Sequence, residues 1–253
     1  MTIVAQSMTP NPVIVSLDTS VRECVALMDR HHTRRLVLTT NDGKVAGWVP
    51  RDVAEQFAGD LDATRAVTIA APVDKLIAPT DPLGEALDTL LDRSQDFLVA
   101  VDAHRRPVGI LTDIDALELA TTALPTKSVV DIGTTDPFTV PSSIGAPEAW
   151  KALQERAHRH LIVVDDVGDA VGVVSERDLI PLLMNAPQAP LGDLVATGPL
   201  ETVPQTASIA DAARLMVAQK VGCVPVVDDD GTMTRILTRF DVLLALREHL
   251  DTA

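Results

Sequence analysis

The chain is poor in the residues on which several classes of protein depend. Its 253 residues include no tyrosine, only 2% are aromatic, and there are two cysteines. So few aromatic side chains disfavour a protein that binds single-stranded nucleic acid by stacking on its bases. Cys24 and Cys223 stand alone in the sequence. They lack the spacing of a disulfide framework or of a metal site.

Long hydrophobic runs and net positive charge are also missing. The longest apolar runs, such as residues 161–164, are far too short to cross a bilayer. The amino-terminal residues show neither the basic nor the apolar region of a secretory signal. We therefore expect a cytoplasmic protein without membrane association. The formal net charge of −15 opposes non-specific binding to nucleic acid, which is itself a polyanion.

The sequence does contain one pattern repeated four times. Four similar segments end in equally spaced aspartates: Val49-Pro-Arg-Asp52, Thr112-Asp-Ile-Asp115, Ser175-Glu-Arg-Asp178 and Thr238-Arg-Phe-Asp241. An amphipathic helix, with apolar positions at i, i+3, i+4 and i+7, precedes each of them and starts near Val21, Leu83, Ala146 and Ile209. The first helix is displaced by one residue from this even spacing. Repeat one is therefore expected to be one residue shorter between this helix and its next strand.

Two short strands follow each helix, joined by a turn rich in Asp, Asn or Gly, and this pattern predicts a hairpin. Helix starts are marked by Ser20-x-x-Glu23, by Ser208-x-x-Asp211 and by Asp81-Pro82. The closing aspartate of each segment then opens another helix. Each repeat is predicted to be a small α/β (α+β) unit in the order β-α-β-β-α. Alone it buries too little surface to be stable, so the repeats should pair through their sheets.

This order of elements and the closing Ser/Thr-x-x-Asp motif resemble the CBS domain, a family named after cystathionine β-synthase. The segments Gly109-Ile-Leu-Thr-Asp-Ile-Asp115 and Gly172-Val-Val-Ser-Glu-Arg-Asp178 match the closing motif of the family closely. The resemblance covers about residues 4–250 and implies four CBS repeats, at 4–60, 66–123, 128–186 and 190–250. In this family two repeats form a Bateman module, and two modules often join into a pseudo-symmetric disc.

The resemblance also implies a ligand, because clefts between paired CBS repeats bind adenosine compounds such as AMP, ADP, ATP or S-adenosylmethionine. The motif aspartate is expected to accept hydrogen bonds from the ribose hydroxyls, and the Ser or Thr to lie near the phosphates. Helix N-termini and Arg side chains suit phosphate groups. The candidate ligand-binding residues are Asp52, Thr112, Asp115, Thr134, Thr135, His160, Ser175, Arg177, Asp178, Thr238, Arg239 and Asp241.

The four candidate sites differ in completeness. Repeat three is the most complete, with nearby positive charge at His158-Arg159-His160 and hydroxyls in its opening strand at Thr134-Thr135. Repeat four carries Arg235 where the motif usually has a small residue. Asp113 makes repeat two less favourable for polyphosphate. Repeat one places Val49 at the hydroxyl position, so a phosphate contact is doubtful there.

Several of these features also have purely structural explanations. Ser/Thr-x-x-Asp at a helix start is a capping box, in which both side chains satisfy free backbone donors. His31-His32 has no carboxylate or cysteine at metal-ligand spacing, so no metal site is expected. Asp228-Asp-Asp-Gly231 favours a hairpin turn over a calcium loop. Trp48 and Trp150 fall at apolar repeat positions and are expected in the core.

The sequence contains no phosphate-binding loop, nucleophile elbow or metalloprotease helix, so we expect neither an enzyme nor a cofactor. The leading hypothesis is a regulatory sensor that binds an adenosine nucleotide between paired repeats and signals to an unidentified protein partner. The alternative is a protein-interaction scaffold with vestigial ligand clefts. A nucleic-acid-binding regulator is disfavoured by the negative charge. A monomer and a homodimer are both compatible with the four repeats.

Overall fold

The computed structural model describes residues 2–92, 97–124, 126–135, 137–156, 160–195 and 200–252, without the side chains of residues 177 and 194. The chain divides into two compact units. Unit 1 comprises Met1–Leu119 and Leu243–Ala253, and unit 2 comprises Ala120–Val242. Repeats one and two lie in unit 1 and repeats three and four lie in unit 2, except that the last helix of repeat two ends in unit 2 and the last helix of repeat four ends in unit 1.

Unit 1 holds the strands and helices of the first two repeats. Its strands are β1 (Thr9–Pro10), β2 (Ile14–Ser16), β3 (Arg35–Thr39), β4 (Val45–Pro50), β5 (Leu76–Ile77), β6 (Phe97–Val101) and β7 (Pro107–Thr112). Its α-helices are α1 (Val21–Arg30), α2 (Arg51–Gln56), α3 (Ala66–Ile69), α4 (Leu83–Leu91) and α5 (Asp113–Ala123), the last of which runs into unit 2.

Unit 2 repeats this arrangement in its described residues. Its strands are β8 (Thr134–Thr135), β9 (Thr139–Pro141), β10 (His160–Val164), β11 (Ala170–Ser175), β12 (Val203–Pro204), β13 (Cys223–Val227) and β14 (Met233–Thr238). Its α-helices are α6 (Ala146–Arg156), α7 (Glu176–Asn185), α8 (Leu191–Val195), α9 (Ile209–Gln219) and α10 (Arg239–Thr252), the last of which runs into unit 1.

Local capping explains where the first helix of each repeat begins. The side chain of Ser20 accepts a hydrogen bond from the backbone N of Glu23 at the start of α1, and Ser208 and Asp211 form a complete capping box at the start of α9. Both caps confirm the prediction. The predicted Asp81 cap is wrong, because Pro82 occupies the N-cap position of α4. The carboxylate of Asp81 instead accepts a hydrogen bond from the backbone N of Ala78, at 2.7 Å.

The four predicted hairpins are confirmed. The pairs β3–β4, β6–β7, β10–β11 and β13–β14 are antiparallel, and each has a register shift at the same place, near its turn. The turn after Val227 is held by Asp228, whose Oδ1 accepts hydrogen bonds from the backbone N atoms of Asp230 and Thr232. This is the hairpin turn predicted for the acidic segment 228–231, because the carboxylate acts as an intrachain acceptor.

The first strand of a module does not join the sheet of its own repeat. Strand β1 pairs antiparallel with β7 of repeat two, and β8 pairs antiparallel with β14 of repeat four. The resulting sheet orders are β1-β7-β6-β5 and β8-β14-β13-β12. The opening segment of repeat two makes the reciprocal crossing, since Ala71 and Trp48 exchange backbone hydrogen bonds of 2.9 and 2.8 Å. Paired repeats are therefore interlocked by their opening segments.

The offset between repeats one and two is the same for every element. The number of residues from the start of α1 to the start of α4 is the same as that from β3 to β6 and from β4 to β7. The corresponding elements of repeats two, three and four are separated by an interval that is one residue longer. The prediction that repeat one is shorter between its helix and its next strand is thus wrong. The whole of repeat one is displaced by one residue relative to the spacing of the motif aspartates.

Each repeat buries one apolar face of its helices against its sheet. The core of repeat one contains Val21, Cys24 and Met28 of α1 together with Leu36 and Leu38 of β3. An equivalent cluster built on α6, β10 and β11 forms the core of repeat three.

A second layer joins paired sheets in unit 1. There Trp48 of repeat one meets Phe97 of repeat two edge to face, with ring centroids 4.8 Å apart. Trp150 packs on the core of repeat three. The prediction that both tryptophans serve packing is confirmed.

Candidate functional site

The closing motifs of repeats two, three and four share one local geometry. In each, the Ser or Thr directly precedes a helix, and the Asp is the third residue of that helix. The backbone N and hydroxyl of Thr112 donate to Oδ2 of Asp115, at 2.7 and 2.6 Å. The same two bonds measure 2.9 and 2.6 Å between Ser175 and Asp178. They are both 2.7 Å between Thr238 and Asp241.

This geometry leaves one carboxylate oxygen for another purpose. Capping occupies Oδ2, and a carboxylate near a helix N-terminus is stabilised by the helix dipole. Within the described part of the chain, Oδ1 of Asp178 and Oδ1 of Asp241 accept no hydrogen bond. Asp178 is exposed and Asp241 is half-buried. Capping and ligand binding are therefore compatible at these two residues, since each function uses a different oxygen.

The carboxylate of repeat two has a further partner within the protein. The hydroxyl of Thr9, in β1, donates to Oδ1 of Asp115 at 2.7 Å. Asp115 is only 9% exposed, and it is a rare buried charged residue among those described. Thr9 was not among the residues predicted from the sequence. Thr9 holds the same position in the opening strand of the first module as Thr134 holds in that of the second, and this correspondence would have indicated Thr9 as a candidate.

The crossing strands place Thr134 and Thr135 in a different site from the one predicted. In β8, Thr134 lies opposite Ile236 and Thr135 lies opposite Arg235, both in β14. The two threonines therefore lie at the edge of the sheet of repeat four, whose closing motif ends in Asp241. The sequence interpretation assigned them to repeat three, and this assignment is corrected. The opening strand crosses over because the exposed edge of its partner's sheet offers the backbone groups with which it pairs.

Repeat one departs from the shared geometry, and the motif position predicted for Asp52 is corrected. Strand β4 pairs so that Pro50 lies opposite Arg35, and this is the register position that Thr112 occupies in repeat two. Pro50 is the N-cap residue of α2 and makes no side-chain cap. The third helical residue is consequently Val53, whereas Asp52 is the second. Repeat one thus lacks both the capping hydroxyl and the motif carboxylate.

The surface near Asp52 is a cleft of about 360 Å³ with mixed charge, lined by His32, Thr33, Arg34, Arg51, Asp52 and Glu55. Arg51 is already paired with Asp29 and Glu55, and its hydrogen bond to Asp29 is the main cause of its raised pKa. A larger, more open cleft of about 790 Å³ lies along α4 and contains none of the candidate residues. Neither cleft brings together the predicted ligand-binding set.

His160 and Arg239 approach each other in unit 2. A Cβ atom on Gly222 would lie 2.8 Å from Nε2 of His160 and 3.8 Å from Nε of Arg239. The Nε of Arg239 donates to the backbone O of Val221 at 3.2 Å. Two basic groups, from repeats three and four, are therefore near the start of β13. The side chain of Arg177 and the residues His158 and Arg159 lie outside the described residues.

The pKa of Cys223, the residue after Gly222, depends on the charged groups around its thiol. Burial raises the pKa of its thiol to about 12; Arg239 acts in the opposite direction, and the carboxylates of Asp178 and Asp241 raise the pKa further. Both motif carboxylates of unit 2 are thus within electrostatic reach of one buried atom. Repeats three and four bring their candidate residues to neighbouring places, as the pairing of repeats requires.

The described residues contain neither a metal cluster nor a membrane-spanning helix. Among them, no three His, Cys, Asp or Glu side chains are grouped closely enough to hold a metal ion. No described helix has the length and apolar character needed to cross a membrane.

Comparison with known proteins points to one family along the whole chain. The family model described as the CBS domain matches residues 4–53, 68–121, 129–185 and 191–248. An uncharacterized protein of Methanocaldococcus jannaschii is 27% identical over 262 residues, covering 95% of this chain and 61% of that protein. The chain thus spans less than two thirds of the length of that relative.

Two solved structures resemble the fold over nearly the full length. A conserved protein from Pyrococcus horikoshii has a TM-score of 0.71 and 22% identity, covering 97% of this chain and 100% of the other. A second Methanocaldococcus jannaschii protein also has a TM-score of 0.71, with 18% identity, covering 96% of this chain and 99% of the other. At this level of identity the likeness concerns the fold.

Proposed function

The chain belongs to the CBS domain family, and on this premise we propose that it is a regulatory protein that binds adenosine nucleotides in unit 2. The ligand is AMP, ADP, ATP or S-adenosylmethionine. Binding alters a surface that a partner protein recognises. The observation that carries the proposal is that Oδ1 of Asp178 and Oδ1 of Asp241 accept no hydrogen bond from the residues that the structure describes.

The chemistry of these carboxylates suits a ribose. Two vicinal hydroxyls can both donate to one carboxylate, which distinguishes ribose from deoxyribose. A hydrogen bond to a charged group contributes about 1.5–3 kcal/mol. Because Oδ2 is held by the helix cap, the direction of Oδ1 is set in advance, and little ordering is needed when the ligand binds.

Basic and backbone groups nearby suit the phosphates. Helices α7 and α10 begin directly after Ser175 and Thr238, and their N-terminal N–H groups and dipoles favour an anion. Arg239 adds positive charge, and the imidazole of His160 adds a hydrogen-bonding group, in a chain whose net charge is −15. Local basic groups are necessary for an anionic ligand, because the overall field repels it. Repeat four, with Arg239 as the first residue of α10, is the better site for a polyphosphate.

The test compares two aspartates that share one capping geometry. Asp178 and Asp211 accept from Ser175 and Ser208 with identical distances of 2.9 and 2.6 Å, and both lie in unit 2. We expect Asp178→Ala to weaken nucleotide binding about tenfold to a hundredfold in isothermal titration. Asp211→Ala, the control, should lose a similar amount of stability and keep its affinity. Equal affinities in both variants would show that Asp178 only caps its helix.

A protein-interaction scaffold is the second candidate function, and repeat one favours it. Val53 and Pro50 stand where the other repeats have Asp and Ser or Thr, so the ligand-binding set is missing from at least one repeat. If the wild-type protein gives no heat and no thermal shift with millimolar AMP, ADP, ATP or S-adenosylmethionine, the scaffold is the correct function.

A further inference from the structure

The motif carboxylate of repeat two is saturated by the protein itself. Oδ2 of Asp115 accepts from the backbone N and hydroxyl of Thr112, and Oδ1 accepts from the hydroxyl of Thr9 at 2.7 Å. Thr9 reaches Asp115 because β1 crosses to the sheet of repeat two and lies beside β7, with Thr9 opposite Ile110. The hydroxyl of Thr9 therefore makes the kind of hydrogen bond that a ribose hydroxyl would make.

The equivalent pair in unit 2 is arranged differently. Thr134 lies opposite Ile236, which precedes Thr238 by the same interval as Ile110 precedes Thr112. Yet among the described residues Thr134 makes no hydrogen bond to Asp241, and Asp241 is half-buried while Asp115 is 9% exposed. Asp115 and Asp241 thus occupy equivalent positions, but only Asp115 accepts a hydrogen bond from the threonine of the crossing strand among the described residues.

We propose that Thr9 is an internal occupant of the cleft at Asp115, which closes repeat two to nucleosides and confines nucleotide binding to Asp178 and Asp241. The proposal rests on the proposed function and adds to it which half of the chain binds. Unit 2 is the ligand-binding half. Unit 1 has one site closed by Thr9 and another, in repeat one, without the carboxylate because Val53 stands in its place.

Charge separates repeat two from repeat four, but not from repeat three, whose helix α7 also begins with an acid, Glu176. The first turn of α5 carries two acidic residues, Asp113 and Asp115. A nucleotide phosphate entering repeat two would therefore meet an acid as the first helical residue. In repeat four Arg239 takes that position. A ligand at Asp115 would have to break the Thr9 hydrogen bond, enter a nearly buried place and approach a negative charge, and each of these lowers its affinity.

The number of bound nucleotides tests the proposal. In isothermal titration with AMP and with ATP, the wild-type chain should bind no more than two molecules. Asp115→Asn, with its fold checked by circular dichroism, should leave both this number and the affinities unchanged. Asp241→Asn should remove one site or weaken it about tenfold to a hundredfold. A loss of binding in Asp115→Asn as large as that in Asp241→Asn would overturn the proposal.

A second measurement needs no ligand. In a double-mutant cycle, Thr9→Val and Asp115→Ala should be coupled by about tenfold in the unfolding equilibrium constant, since each removes one partner of the same hydrogen bond. The matched cycle of Thr134→Val and Asp241→Ala should show no coupling. Absence of coupling in the first cycle would show that Thr9 does not occupy the site. If wild-type protein binds no nucleotide, the proposed function fails, while the cycle still decides whether the two residues interact.

Discussion

Gly222 leaves the space that the imidazole of His160 occupies, since a Cβ atom at position 222 would lie 2.8 Å from its Nε2. Gly222 directly precedes β13 of repeat four, and His160 is the first residue of β10 in repeat three. The absence of a side chain at 222 therefore lets groups from two repeats meet. Arg239 is also close to this point, at 3.8 Å.

Gly222→Ala is expected to weaken nucleotide binding about threefold to tenfold, because the new methyl group displaces His160 and a neutral hydrogen bond contributes about 0.5–1.5 kcal/mol. The fold should be kept, since the displaced atom is the end of a side chain. Isothermal titration with ATP measures the effect. His160→Ala should give a similar loss, and the double variant should lose no more than either. Strictly additive losses would show that Gly222 does not act through His160.

Asp52→Asn is expected to leave nucleotide affinity and stoichiometry unchanged. Asp52 is the second residue of α2, whereas the aspartates proposed to bind the ligand are the third residues of their helices. The measurement is the same titration, with Asp178→Asn as the reference. A weakening at Asp52 as large as that at Asp178 would restore repeat one to the set of binding sites.

Gly47→Ala is expected to destabilise unit 1 more than Gly109→Ala does, although the two glycines are equivalent in their strands. A Cβ on Gly47 would lie 2.7 Å from the backbone O of Ala71, which is held by its hydrogen bond to Trp48. A Cβ on Gly109 would instead meet Sδ of the flexible side chain of Met8. Overpacking costs about 1–3 kcal/mol, and a fixed backbone atom relieves it least.

Urea unfolding followed by circular dichroism gives this comparison directly. Equal losses at Gly47 and Gly109 would mean that the crossing segments are equally rigid. Repeat four carries Arg235 at the position where the other repeats have glycine. The segment that crosses to this strand contains Gly133, and a Cβ on Gly133 would lie 2.8 Å from the backbone O of Ile236, so β14 does not need a glycine at position 235. Arg235→Gly is therefore a useful companion variant.

Both cysteines are expected to be unreactive in the folded protein. Burial raises the pKa of Cys24 to about 11 and is the main cause of the pKa of about 12 at Cys223. At pH 8 a thiol with a pKa of about 12 is ionised in roughly one molecule in 10⁴, whereas an unfolded thiol with a pKa of about 8.5 is ionised in roughly one in four, so alkylation of Cys223 should be slower than that of an unfolded control by a factor on the order of 10³. Rapid native-state labelling of either thiol by iodoacetamide would contradict this expectation.

The same shifts predict a loss of stability at alkaline pH. A thiol whose pKa is raised by folding contributes fully to stability below its unfolded pKa of about 8.5. This contribution falls as the pH rises from there toward about 11 for Cys24 and about 12 for Cys223. Cys24→Ser and Cys223→Ser variants, with melting temperatures measured from pH 7 to 10, should lose this part of the alkaline dependence.

Much of the fold follows from short-range patterns. The apolar stripe of α1, the cap at Ser208 and the turn at Asp228 each depend on residues that are close neighbours along the chain. Local hydrogen bonds and helical periodicity act over that distance, so their sequence signals are reliable. The cap predicted at Asp81 failed because Pro82 could itself take the N-cap position, leaving the carboxylate free for the preceding turn.

The candidate site was predictable only in part. The motif residues of repeats three and four could be found from their spacing. Asp52 was misassigned, because the interval from Asp52 to Asp115 equals the intervals between the later motif aspartates. The interval from Gly47 to Gly109 is one residue shorter than that from Gly109 to Gly172, and this signal in the sequence indicates that Pro50, and not Val49, stands at the capping position, as the pairing of β3 with β4 shows.

The sequence by itself determined the four repeats, the type and order of their elements, and the helix caps at Ser20 and Ser208. Each of these depends on neighbours along the chain. Tertiary structure alone decided which sheet each opening strand joins, and hence that Thr9 meets Asp115 from a distant part of the sequence. Residues this far apart leave no periodic signal, because their contact arises from the pairing of strand edges. Which carboxylate oxygens stay available to a ligand is consequently a property of the folded protein.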